Sequence, residues 1–342
     1  MDLPNRPRVL PGLPLLRRRE GVVQIGTDPR HAMLVEDVPE PMASVLLGLT
    51  GQHTLTDLRQ RLAGHGRQAA ELVGLLHGLT RAGLVEEAVP PPHPRLTAEA
   101  TGWALRSRRP ATGLAATRAA KAVVVRGDGP LAVIVATLLA AAGVAHVRVI
   151  ARGRVGPEDT GSGYTESDVG RPRADAARDA VRRACGTVRS GARGPDLVVL
   201  ADALVPAPEL LHQLLADRTP HLAVRVREGL GVVGPLVVPG RSSCLRCADR
   251  HQADVDPTWP LVAAQLVGRS QHADLATVTA TAGVAVGQVL LALDGPPGAS
   301  VGTASGTRPP TWDATLEVDA FTGAVEHHLA PVHPRCECRS AT

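Results

Sequence analysis

Four cysteines, split into two tight pairs, restrict how this chain can fold more than any other part of it. Cys244-Leu-Arg-Cys247 lies late in the sequence, and Cys336-Glu-Cys338 lies almost at its end. Thiolates are soft ligands, and zinc takes four of them as a tetrahedron. Each pair can reach a common centre with little loop strain. The long gap between the pairs means that a shared ion pins the C-terminal tail onto the middle of a folded body. Four protein ligands leave no position for water or substrate, so the spacing predicts a structural zinc site. Two disulfides are the rival reading. They need an oxidising compartment, and nothing else in the sequence indicates one.

At 342 residues and 44% hydrophobic content the chain can build two domains with a sizeable core. A net charge of +4 is small for this length and does not argue for nucleic acid. Met1 to Arg19 has proline and arginine but no apolar stretch of the signal-peptide kind. The apolar run Leu131 to Val144 is too short to span a bilayer. The expectation is a cytoplasmic protein with no membrane partner.

The first 20 or so residues read as loose. Val22–Ile25 and Ala32–Val35 read as short strands around the Thr27-Asp-Pro-Arg30 turn. Helical spacing follows over Pro41–Leu49, over Leu55–Leu62 behind the N-cap candidate Thr54, and over Gln68–Ala82. With the strand Leu84–Glu86 this makes a winged-helix outline, so the first domain is placed at 1–88. Residues 89–119, with four prolines between Val89 and Pro94, read as a linker. A DNA reader should show a basic, polar third helix, whereas this one carries Glu71, His77 and leucines. The sharper reading is a peptide clamp. An exposed edge at Met33, Leu34 and Val35, beside Leu72 and Leu76 of the third helix, would accept a guest strand.

The second domain, 120–342, has an α/β rhythm. Ala122–Val125 and His146–Ile150 are strands around the apolar helix Leu131–Ala142. The turn Gly127-Asp-Gly129-Pro-Leu-Ala132 has the G-x-G-x-x-A form that presents N–H groups to a phosphate. Pro130 removes one donor, and Ala151 stands where a ribose-binding acid is usual. Further strands read over Asp196–Ala201 and Leu222–Val226. Leu230–Val233 and Leu236–Val238 read as a hairpin, and Ala314–Val318 with Ala324–Leu329 as another. Helices read over Arg173–Cys185, Pro208–Ala216 and Leu275–Leu293. The Arg171/Arg173 pair reads as a solvated helix face, and His251 and His333 as surface or support groups near the cysteines.

From Ala122 to Cys338 this order of parts resembles the ThiF/MoeB-like adenylyltransferases. The matching pieces are Gly127-Asp-Gly129, Asp168-Val-Gly170-Arg-Pro-Arg173-Ala, Asp196-Leu-Val-Val-Leu-Ala-Asp202, Gly229 to Gly234 and the two cysteine pairs. The resemblance implies a Rossmann-like ThiF-type sheet with a zinc knuckle, and Asp202 on the magnesium side of an ATP site. The stretch Asp159 to Gly163 offers none of the family's basic groups, and the one lysine, Lys121, precedes the first strand. ATP is therefore not expected as a cofactor. Gly127, Gly129 and Asp202 read as a vestigial nucleotide site, and no catalytic residue is assigned.

The whole chain is similar to the ThiF-like partner proteins of azoline-forming cyclodehydratases. Asp256-Pro-Thr-Trp259-Pro260 and His333-Pro-Arg-Cys336 strengthen that likeness. It implies binding of the leader of a ribosomal precursor peptide, docking of a separate YcaO-type subunit, and a possible homodimer. Two alternatives stand beside it: an active adenylyltransferase using ATP on a peptide or carrier-protein C-terminus, and a winged-helix DNA-binding regulator.

Overall fold

The structure is a computed structural model that describes residues 3–89, 93–189, 194–294 and 308–339. The chain divides into two units, Met1–Ala115 and Ala116–Thr342. In the first run β1 (Pro7–Val9), β2 (Leu15–Arg19), β3 (Val22–Ile25), β4 (Met33–Val35), α1 (Glu40–Leu47), α2 (Leu55–Arg61), α3 (Gln68–Arg81), β5 (Val85–Glu87) and α4 (Leu96–Ser107). α5 (Leu114–Ala119) straddles the division.

Strands β2, β3 and β4 form a three-stranded antiparallel sheet with β3 in the middle. β1 and β5 pair separately, Pro7 opposite Glu87. Thr54 caps α2 as its sequence predicts. Its hydroxyl accepts from the Asp57 N–H at 3.1 Å, and the Asp57 carboxylate accepts from the Thr54 N–H at 2.8 Å. Val23, Ile25, Leu46, Leu58, Leu72, Leu76 and Leu79 meet in one apolar core.

Three expectations change here. The opening stretch is not loose, because β1 is held by β5 from far along the chain and Arg8 pairs with the buried Glu86 at 2.8 Å. The supposed linker 89–119 contains α4 and α5. Its prolines Pro90–Pro92 lie outside the described residues. Leu72 and Leu76 are fully buried, so they build the core and offer no surface to a guest peptide. Their i, i+4 spacing marked an apolar face, and that face turns inward.

The second unit runs β6 (Ala122–Arg126), α6 (Pro130–Ala141), β7 (His146–Ile150), α7 (Arg173–Ala184), β8 (Leu197–Ala201), α8 (Pro208–Ala216), β9 (His221–Arg227), β10 (Leu230–Val237), α9 (Leu245–Val255), α10 (Trp259–Leu266), α11 (Leu275–Leu293), β11 (Ala314–Asp319) and β12 (Ala324–Leu329). Its seven-stranded sheet has the order β12-β11-β10-β9-β8-β6-β7. The β7-β6-β8-β9 half is parallel and the β9-β10-β11-β12 half antiparallel. This is a mixed, Rossmann-like α/β fold.

Alternating residues of the central strands feed two cores. Val123, Val125, Leu197, Val199, Leu222 and Val224 pack under α6 and α11. Val124, Val198, Leu200 and Ala223 pack on the other face with Leu211 and Leu214 of α8 and with the cysteines. α11 is long and apolar enough to cross a membrane, yet Val278, Ala282, Ala285, Val289 and Leu293 are buried in the first of these cores.

One predicted hairpin is a single strand. β10 stays paired with β9 on both sides of Gly234-Pro235, where the register shifts. The true hairpin turn is Glu228-Gly229, with φ of +52° and +85°. Two left-handed residues in a two-residue loop match the strand twist.

Candidate metal centre and glycine turn

Cys244 is the N-cap of α9, and Cys247 sits in its first turn, bonded through its N–H to the Cys244 carbonyl at 2.9 Å. β12 returns the chain to this face, and Cys336 and Cys338 arrive from the tail. The sulfurs of Cys244 and Cys247 are 3.7 Å apart, those of Cys244 and Cys336 3.7 Å, and those of Cys247 and Cys338 3.5 Å. A tetrahedron with metal–sulfur bonds of about 2.3 Å has edges of about 3.8 Å. A disulfide would need about 2.05 Å. All four thiols are free. The predicted quartet is thus a four-sulfur cluster with the dimensions of a closed tetrahedral metal site.

Four sulfurs this close resist ionising together. Hydrogen bonding from Cys244 holds the Cys247 thiol down at about 4. Cys244 is pushed up by donating to Cys247 and by burial, and burial pushes Cys338 up to about 11. A divalent cation at the centre supplies the charge that lets all four act as thiolates.

A second group of side chains clasps the same tail. His333, fully buried, and Asp254 of α9 are joined through Nε2 and Oδ2 at 2.8 Å, and the Arg335 N–H donates to His333 Nδ1 at 3.1 Å. A ring that accepts at Nδ1 carries its proton on Nε2, so His333 donates to Asp254. That leaves no lone pair on Nε2, and the triplet His251, Asp254 and His333 works as a hydrogen-bonded latch. His333 is therefore a buried support for the tail, one of the two roles the sequence left open for it. Arg335 reaches the other oxygen of Asp254, and His251 Nε2 lies 3.1 Å from the Pro331 carbonyl.

The glycine turn lies at the C-terminal end of β6. Gly129 caps α6, and Pro130 is its first residue. The N–H groups of Gly129, Leu131 and Ala132 point at Asp202, which follows β8, with the Gly129 bond at 3.0 Å. A Cβ on either Gly127 or Gly129 would overlap the Asp202 carboxylate, so both glycines are needed for its close approach. Asp202 itself has φ of +70° and is 9% exposed. Burial pushes its carboxyl up to about 6, against those N–H bonds. The amide donors at the start of α6 therefore face a carboxylate of the chain itself.

The sequence placed Gly127, Gly129 and Asp202 together, and the structure joins them. Around them is a cavity of about 190 Å³ lined by Asp128, Glu158, Asp159, Asp202 and Arg173. That is below the roughly 300–1,000 Å³ common for small-molecule sites. Arg173 does not lie on a solvated face. Its guanidinium faces this cavity and is held by buried Asp159 at 2.6 Å. Its position at the start of a helix with a charged outer face gave no sign of that. Lys121 sits at the other end of β6 and pairs with Asp196 at 3.4 Å. Carboxylates outnumber free cations around the turn, which disfavours a triphosphate.

The mixed sheet, the glycine turn and the paired cysteines make an α/β protein, and residues 107–194 match the model of the ThiF family. No curated protein matches the chain by sequence. Among solved structures, E. coli MccB with ATP is similar over 97% of this chain and 99% of its own, at 13% identity and a TM-score of 0.70. The microcin C7 biosynthetic enzyme MccB in complex with N-formylated MccA is similar over 97% and 99%, at 13% identity and a TM-score of 0.71. PaaA is similar over 93% and 98%, at 16% identity and a TM-score of 0.66. At such identities the likeness is one of fold.

Proposed function

We propose that this chain is a recognition subunit without chemistry of its own. Its first unit would hold the leader of a ribosomal precursor peptide along the outer edge of β4. Its second unit, closed by a structural zinc on Cys244, Cys247, Cys336 and Cys338, would dock a separate YcaO-type subunit that forms azolines. The observation that carries this reading is Asp202, whose carboxylate takes the helix donors a nucleotide phosphate would need. The edge of β4 supports the peptide half: among the described residues it pairs only with β3, and Leu34 is 45% exposed there. A labelled precursor leader should bind the purified chain without ATP, and Leu34→Glu should weaken it at least tenfold. Equal binding by that variant sinks the β4 edge as the site.

The second reading is an ATP-dependent adenylyltransferase. It is favoured by the similarity to MccB structures, one of them with ATP. ATP–pyrophosphate exchange abolished by Asp202→Ala would establish it.

A further inference from the structure

β12 is the outer strand of the seven-stranded sheet, and among the described residues it pairs only with β11. All six of its residues are exposed, whereas Ala314, Leu316 and Val318 of β11 are buried. Directly opposite residues share a face, so Leu329, His327 and Val325 lie on the side where Leu316 enters the core under α11. That core stops short of them: Val325 is 53% and Leu329 79% exposed. An edge with free backbone groups and uncovered aliphatic side chains is a template for another strand.

The sequence of β12 is its own complement. When an antiparallel strand meets its copy across a two-fold axis, opposite residues point to the same face, so the axis passes through a single residue. Centred on Glu326, the pairing sets two carboxylates against each other. Centred on His328, it sets His327 against Leu329. Centred on His327, it sets Glu326 against His328 and Val325 against Leu329, each twice. That register alone matches acid with imidazole and aliphatic with aliphatic. Within one copy, Glu326 stands opposite Glu317, a like charge. The two share His328, whose Nε2 lies 3.4 Å from Glu326 and 3.7 Å from Glu317. Pairing with a second copy gives each Glu326 a further imidazole directly opposite.

We propose that β12 is a self-association edge, where two copies of this chain join antiparallel with His327 opposite His327 and make one continuous sheet of two. The assignment is independent of the leader clamp, which lies in the first unit, so either can fail alone. It is tested on the full chain by sedimentation and by cysteine cross-linking. The parent should form a dimer whose population rises with concentration, and Val325→Arg, a charge set against Leu329 of the other copy, should weaken it at least tenfold. Under mild oxidation His327→Cys should give a covalent dimer at least tenfold faster than Glu326→Cys, because only position 327 meets itself. Glu326→Cys mixed with His328→Cys should cross-link as His327→Cys does. The chain's own five cysteines are buried and add little background. A parent that stays monomeric up to about 100 µM overturns the proposal. So does a dimer that Val325→Arg leaves intact, or cross-linking no faster at position 327 than at 326.

Discussion

At the ends of β6 and β8 the amide donors of the glycine turn meet a carboxylate from the same chain, whereas at the start of α9 four sulfurs face only one another. Both places suit a charged guest. At the turn, the Asp202 carboxylate accepts from the Gly129 N–H at the N-cap of α6. At the cysteines, the ligands are assembled at tetrahedral spacing and their mutual repulsion calls for a cation. The contrast teaches that a binding motif is read from what its donors and acceptors touch. Glycines at the right spacing are compatible with a phosphate cradle and with a self-closed cap.

The largest effect should come from the metal side. Removing the proposed zinc with a strong chelator, or Cys338→Ser, should lower the melting temperature by more than about 10 °C, since structural zinc contributes on the order of 10 kcal/mol. The tail beyond Ala330 should then become open to protease. Unchanged melting and unchanged cleavage would remove the cysteine cluster from the account.

Asp202 gives a smaller, pH-dependent effect. Its folded-state value, about 6, lies above the unfolded value near 3.8. Its contribution is therefore fully present below about pH 4 and lost as pH rises through about 6, a change of about 3 kcal/mol. Asp202→Asn should flatten that part of a stability profile measured between pH 4 and 8. A profile identical to the parent's would mean that the carboxylate is not buried against α6.

Gly129→Ala should cost roughly 2 kcal/mol, because the new Cβ overlaps the Asp202 carboxylate. The same change made in Asp202→Gly should cost clearly less in denaturant unfolding. Equal costs in both backgrounds would break the link between turn and carboxylate. The smallest effect belongs to the latch: His333→Leu should cost about 1–2 kcal/mol with zinc content unchanged. Zinc loss in that variant would make His333 part of the metal site.

The elements most legible in the sequence are those whose signals are local. Thr54 announced α2, the apolar run before Gly143 announced α6, and Thr322-Gly323 announced the β11–β12 turn. β1 was hidden because its stability comes from β5, with Pro7 opposite Glu87. α4 was hidden in a proline-led stretch with only Leu96 and Ala104 buried and no side-chain cap. At β10 a Gly-Pro pair looked like a turn, while Glu228-Gly229 made one. Within the sites, the cysteine spacing was decisive. The partners of Arg173 and His333 were not legible, because Asp159 and Asp254 lie in other parts of the chain and nothing local points to them. Leu72 and Leu76 show the same limit, since periodicity marks a face and not which way it turns.

The central claim is that the glycine turn is closed to nucleotide by the chain's own carboxylate. Calorimetric titration of the full chain with ATP and magnesium tests it most directly. The account predicts no saturable heat up to millimolar ATP. Saturable micromolar binding that disappears with Asp202→Ala would contradict it.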